Sequence, residues 1–290
     1  MQFHKMHGLG NDFILINGTG SAVEKPAELA RRLCNRRTGI GSDGLIVFSA
    51  SPSTDFRMDF YNPDGSEAIC GNGLRCLGRI VHDLGLTHRE RITVDTIAGV
   101  RRLELKVTEG VVESVTVDME RPSFHRRDIP MEGPDDEVVD NTLTVDKDSF
   151  QVTCLSLGNP HCVIFSHDLD SVPLERLGPA IENHPLFPER TNVEFVEVID
   201  SHNLRLRIWE RGAGETLASG TGSTAAATAA IKCGLAESPV RVNLKLGAIN
   251  IDWKPGEKAF MTGPASYVFR GETTDEQIVP NKDSTHGRTR

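Results

Sequence analysis

The sequence predicts an α+β protein made of two pseudo-symmetric halves, each an antiparallel sheet wrapped around a central helix, and three observations carry that prediction. Short anchors recur in the same order at almost one spacing: Leu9-Gly10-Asn11 returns 148 positions later as Leu157-Gly158-Asn159, and Cys70-Gly71-Asn72-Gly73 returns 149 later as Ser219-Gly220-Thr221-Gly222. Each of the second pair of anchors stands between a strand-like run and a helical run. Much of the remaining chain alternates apolar and polar residues, the period of a strand with one buried face.

The elements follow in parallel order. Both halves open on alternation, FHKMHG and FILING in the first, TCLSLG and CVIF in the second. A helical segment comes next, PAELARRLCNRR or LERLGPAIEN, and then a strand, LIVF or VEFVEV. GIGSDGLIVF (39–48) corresponds to ERTNVEFVEV (189–198), and FYNPDGSEAI before Cys70 corresponds to WERGAGETLA before Ser219. The central helices are LRCLGRIVHDLG and STAAATAAIKCG, each closed by a glycine suited to a helix C-terminus. RITVDTIAGVRRLELKVTEGVVESVTVDM and VRVNLKLGAINIDWK then read as strands joined by tight turns. The acidic stretch 131–141 reads as an exposed loop. The expected division is 1–118, with 264–272 packing back on it, and 119–263, the crossing lying at Asp118 to Pro122; 273–290, polar and aperiodic, is expected to be a disordered tail.

Composition narrows the function. A net charge of −9 argues against a nucleic-acid binder, which needs a concentrated Lys/Arg surface, and favours a small-molecule partner. No window approaches the run of about 18 apolar residues that a membrane span needs, and the first residues lack a signal-peptide core, so a cytoplasmic location is expected. Six cysteines are scattered at 34, 70, 76, 154, 162 and 233 and are expected to be reduced. Neither glycine loop matches a phosphate-binding or dinucleotide fingerprint, and no metal-ligand spacing occurs, so neither cofactor nor metal is expected.

The chemistry concentrates at the two glycine loops. Cys70 immediately precedes a helix whose first-turn N–H groups and dipole can stabilise a thiolate, which can act as a base; the other cysteines fall in packing patterns. Ser219 holds the matching place, with two readings open: a plain N-cap, or a second acid/base group facing whatever Cys70 faces. Two helix N-termini aimed at one ligand form an anion cradle for a carboxylate and for the charge that builds when its α-proton leaves. A base on each half reaches opposite faces of one carbon, the geometry of stereoinversion. Asn11, Asn62, Asn159 and Asn192 are either turn residues or substrate contacts, and His161, Glu210 and Arg211 can orient acid/base groups or pair with a carboxylate.

The segments KMHGLGNDF, GIGSDG, NPDGSEAICGNGLRC, SLGNPHCV, ERTN, WERGAGETLASGTGS and MTGPA resemble the diaminopimelate epimerase family over nearly the whole chain. The resemblance implies that family's two-domain fold, a cleft that closes on substrate, a homodimer, and pyridoxal-phosphate-independent interconversion of LL- and meso-diaminopimelate in lysine biosynthesis. It makes Cys70 a catalytic base, His161 and Glu210 its assisting pair, and Asn11, Asn62, Gly71, Asn72, Asn159, Asn192, Glu210, Arg211, Gly220 and Thr221 substrate contacts. Three departures stand out: Ser219 replaces the usual second catalytic cysteine, Ser66 to Cys70 is one residue shorter than usual, and Gly44 stands where some relatives carry glutamine, which puts one distal contact in doubt. The serine leaves open an alternative: a related racemase, or a one-sided proton-exchange or dehydratase variant acting on another amino acid.

Overall fold

The structure, a computed structural model, describes residues 1–273; of the expected tail, 274–290 lie outside the described residues. The chain opens on β1 (Gln2–Gly8) and β2 (Asn11–Asn17). Their two-residue turn places Leu9 at φ 58° and Gly10 at φ 97°, the left-handed pair that matches the twist of a hairpin. After α1 (Pro26–Leu33) come β3 (Gly44–Ser49), β4 (Phe56–Tyr61) and the short β5 (Glu67–Ala68), which leads into α2 (Gly71–Asp83). The first half continues through β6 (Arg91–Thr96), β7 (Gly99–Thr108) and β8 (Val111–Asp118), and the connecting strand β9 (Asn141–Val145) follows.

The second half repeats this order. It comprises β10 (Asp148–Ser156), β11 (Pro160–Phe165), α3 (Leu174–Glu182), β12 (Asn192–Asp200), β13 (Asn203–Glu210), β14 (Gly214–Thr216), α4 (Gly220–Lys232), β15 (Val240–Leu244), β16 (Gly247–Asp252), β17 (Phe260–Gly263) and β18 (Ser266–Glu272). Pairings repeat as well. β2 with β3 and β4 with β6 are parallel, and so are β11 with β12 and β13 with β15; the other ladders are antiparallel. The expected antiparallel sheets are present, and these four parallel pairings are what the expectation left out. The reason is that each helix lies on the crossover between two parallel strands, a connection that period-two alternation does not reveal.

Each sheet curls around its central helix. α2 buries Leu74, Cys76, Leu77, Ile80 and Val81 against the first half, each large aliphatic group contributing roughly 1.5–3 kcal/mol on full burial. α4 has almost no exposed face: Ala225, Ala226, Ala227, Ala229 and Ala230 are all buried, and their small side chains let the strands approach from several sides. α1 and α3 cover the outer faces through Leu29, Ala30 and Leu33, and through Leu174, Leu177 and Ile181. The halves are stitched where β8 pairs with β17, with Thr116 and Thr262 hydroxyls 2.8 Å apart, and β18 pairs with β1.

Gly44 has a steric explanation. A Cβ there would lie 2.2 Å from Phe60 Cε2 and 3.0 Å from the Tyr61 carbonyl, so this core excludes the side chain that some relatives carry. Gly44→Ala is expected to destabilise the fold by about 1–3 kcal/mol, seen as a lower urea midpoint; an unchanged midpoint would show that Phe60 yields freely.

Candidate active site

Both central helices begin at the same place. Cys70 caps α2 in an extended conformation (φ −137°, ψ 112°), and Ser219 caps α4 in nearly the same one (φ −130°, ψ 127°). Each side chain accepts a hydrogen bond from the third residue on: Gly73 N–H to Cys70 Sγ at 3.4 Å and Gly222 N–H to Ser219 Oγ at 3.1 Å. The shortened Ser66–Cys70 segment therefore still delivers the cysteine to the cap position. A serine suits this geometry on its own, an N-cap being worth about 1 kcal/mol, which explains its tolerance structurally but not chemically.

The two caps open on one cavity of about 310 Å³, lined also by Asn11, Gly71, Asn72, Asn159, Glu210, Arg211, Gly220 and Thr221. The helix ends approach closely here. A Cβ on Gly220 would come 3.1 Å from Asn72 Oδ1, and one on Gly71 would meet the Met119 and Met261 methyls at 3.1 Å, so glycine is what lets both N-termini reach the cavity wall. First-turn N–H groups have no partner within their own helix and remain available to an anion.

The surrounding side chains are braced. Asn11 donates to Asp43 at 2.8 Å, and its Oδ1 accepts from Asn72 at 3.0 Å and faces Cys70 Sγ at 3.7 Å. Asn159 Nδ2 reaches Thr221 Oγ1 at 3.5 Å, and Thr221 Oγ1 lies 3.4 Å from Ser219 Oγ. Arg211 is held by its backbone, which donates to Asn192 Oδ1, and by a guanidinium bond to the Glu189 carbonyl. Asn62 and Asn192 lie off the cavity lining: Asn62 donates to Ser66 Oγ in a surface turn, and Asn192 donates to the Pro160 carbonyl. His161 is fully buried behind Asn159, its Nε2 3.0 Å from Asn159 Oδ1 and its Nδ1 2.7 Å from Glu194 Oε1. It reaches the cavity only through that asparagine.

Glu194 is the residue that sequence reasoning missed. It sits wholly buried in β12 between apolar neighbours, and its second oxygen, Oε2, has no partner. A carboxylate inside the hydrophobic alternation NVEFV was the available signal.

Burial dominates the electrostatics. The Cys70 thiol is pushed up to about 11 by desolvation, which outweighs the N–H groups of Gly73 and Asn72 and the Arg75 charge; Glu210 across the cavity raises it further. Burial thus opposes the stabilisation that the first-turn N–H groups give a thiolate at Cys70. Burial also raises Glu210 from its ordinary value, against a hydrogen bond from Thr216, and raises Glu194 against the pull of His161.

For Glu210 the sign is definite. Its folded pKa exceeds the unfolded one, so its contribution to stability is present below about 4.5 and is lost as pH rises through the raised value. Glu210→Gln is expected to gain stability relative to the parent as pH rises above about 4.5 while losing activity; a difference in urea midpoint that does not change with pH would show the carboxyl to be unperturbed.

The model of the diaminopimelate epimerase family matches residues 3–125 and 153–268. A diaminopimelate epimerase of Moorella thermoacetica is 48% identical over 277 residues, covering 94% of this chain and 99% of the relative. That of Methanococcus maripaludis is 43% identical, covering 94% and 99%. Among solved structures, a probable proline racemase from Agrobacterium radiobacter superposes with a TM-score of 0.70 at 15% identity, over 96% of this chain and 94% of the other. A Bacillus anthracis phenazine biosynthesis protein of the PhzF family gives 0.69 at 17%, over 94% and 99%. At those identities the likeness concerns the fold.

Proposed function

The chain belongs to the diaminopimelate epimerase family, and from that premise we propose that it interconverts LL- and meso-diaminopimelate by moving the α-proton between Cys70 on one face of the carbon and Ser219 on the other. The observation that carries this reading is the pair of matching caps, one thiol and one hydroxyl, opening on a single cavity between two helix N-termini.

In this reading the substrate α-carboxylate lies against the first turns at Gly71, Asn72, Gly220 and Thr221, where fixed N–H dipoles stabilise the enediolate as charge moves onto it. Cys70, once ionised, takes the α-proton, and the C–H electron pair passes into the carboxylate. Ser219 Oγ–H delivers a proton to the opposite face, and the alkoxide left behind takes one from Glu210, whose raised pKa keeps a protonated form within reach. The reverse reaction runs the same transfers backwards. His161 acts through Asn159, and Arg211 offers a guanidinium to a carboxylate. Asn62 and Asn192 become substrate contacts on cleft closure.

Serine makes the second half-reaction the slow one, because an alcohol is a far weaker acid than a thiol of pKa about 8.5. That same hydroxyl favours, as a second reading, a one-sided exchanger or a dehydratase acting on another amino acid. The proposed setting is cytoplasmic lysine and peptidoglycan-precursor biosynthesis by a homodimer; among the described residues no helix is long and apolar enough to cross a membrane.

Incubation with LL- and meso-diaminopimelate in deuterated water separates the readings. Interconversion with α-deuterium uptake, abolished by Cys70→Ala and accelerated at least about tenfold by Ser219→Cys, is expected. Exchange without inversion, converted to inversion by Ser219→Cys, would favour the one-sided enzyme. Turnover of a different amino acid alone would overturn the substrate assignment.

A further inference from the structure

A full positive charge is buried on the helix that Cys70 caps. Arg75, on the second turn of α2, is 0% exposed and is the largest fully buried side chain of the described residues. Its guanidinium is wedged between two glycines: a Cβ on Gly8 would lie 2.6 Å from Nη2, and one on Gly263 would lie 3.2 Å from Nε. Nε donates to the Pro264 carbonyl at 3.1 Å, Nη1 to Asn72 Oδ1 at 2.8 Å and to Met261 Sδ at 3.2 Å, and Nη2 has no partner.

Every one of those acceptors is neutral. Among the described residues no carboxylate pairs with this guanidinium, and the only ionisable groups that act on it are the thiols of Cys76 and Cys70. A buried cation without a counter-ion is costly, so the site favours whichever neighbour can become an anion. Cys76 is sealed in the core at about 12, whereas Cys70 lines the cavity at about 11.

The other half lacks this charge. The repeat places Thr224 where Arg75 stands, and its hydroxyl merely bonds back to the Gly220 carbonyl at 2.8 Å. Behind Ser219 lies a carboxyl group instead: Glu194 Oε1 is 3.0 Å from where a Cβ on Gly222 would be, and Gly222 is the residue whose N–H holds Ser219 Oγ. One cap is backed by a cation and the other by a buried acid paired with His161, while Glu210 faces the shared cavity.

We propose that Arg75 is a positioning residue that divides the labour between the two caps: its buried charge, without a counter-ion, makes Cys70 the site that ionises, and position 219 has no such charge behind it. The inference rests on the reading of Cys70 and Ser219 as the acid/base pair. Arg75 acts on the thiolate through space, while the chain Arg75, Asn72, Asn11 fixes the Asn11 Oδ1 that accepts from the thiol form of Cys70. The groups that face Cys70 are Asn11 from the β1–β2 turn, Asn72 and Arg75 from α2, and Glu210 from β13.

The test compares two thiols within one molecule and needs no substrate. In the Ser219→Cys protein at pH 8, iodoacetamide labelling followed by peptide mass analysis is expected to modify Cys70 at least about tenfold faster than the introduced thiol, the ratio that one pKa unit gives. Adding Arg75→Gln is expected to shrink that ratio below about threefold; Arg75→Lys, which keeps the charge, is expected to preserve most of it. Faster labelling of the introduced thiol in Ser219→Cys alone, or a ratio indifferent to Arg75→Gln, overturns the proposal. Should Arg75→Gln not fold, Arg75→Met, which also removes the charge, takes its place, with the ratio again expected below about threefold. Because the readout is alkylation, a failed substrate assignment leaves this result standing.

Discussion

Everything in this molecule depends on how two helix N-termini are ended inside it. A helix leaves its first N–H groups without intrahelical partners, and burying such an end without acceptors is expensive. Here the chain supplies one side-chain acceptor at each end, sulfur at Cys70 and oxygen at Ser219, and leaves the remaining donors to line a cavity. The requirement that stabilises the helices thereby creates the anion site. It also explains why a serine can replace a cysteine without disturbing the architecture: as a cap the hydroxyl is at least as good, and only as an acid is it inferior.

Much of this was legible in the sequence because the repeat is written in residues with strong local meaning. The two Gly-x-Gly turns, the glycines closing α2 and α4, and the Leu-Gly-Asn anchors announce backbone geometry whatever packs around them. The strand directions were not legible. Alternation in FILING and LIVF reports that one face is buried, yet it cannot say that α1 carries the chain between parallel neighbours. Asn62 and Asn192 show another limit: as turn and bracing residues they follow the same sequence logic as Asn11 and Asn159, and only the tertiary arrangement separates those that line the cavity from those that hold its wall.

The ionisable groups behind the cavity were harder still to anticipate. Arg75 and Glu194 stand in apolar surroundings, where residue type suggests an exposed helix face or a strand edge, and neither has an oppositely charged partner nearby in sequence. Their meaning comes from what they lack: Arg75 has no carboxylate, and Glu194 has one oxygen unused. Local propensity describes what a residue prefers, whereas a buried charge is informative because it goes against preference. The symmetry of the backbone consequently carries an asymmetric field, a cation under one cap and an acid under the other.

The ladder joining β18 to β1 has a consequence for assembly of the chain. By the repeat, β9 is to the first half what β18 is to the second, and each crosses over: β9 completes the edge beside β10, and β18 completes the edge beside β1. The two halves thus exchange their last strands, and the backbone of Thr273 donates to Met1 at 2.8 Å. In chain order the second half has its borrowed strand before its own strands begin, but the opening strand of the first half keeps one edge bare until β18 is made. Neither half closes its own sheet, so the two caps stand on sheets that each depend on a strand lent by the other half.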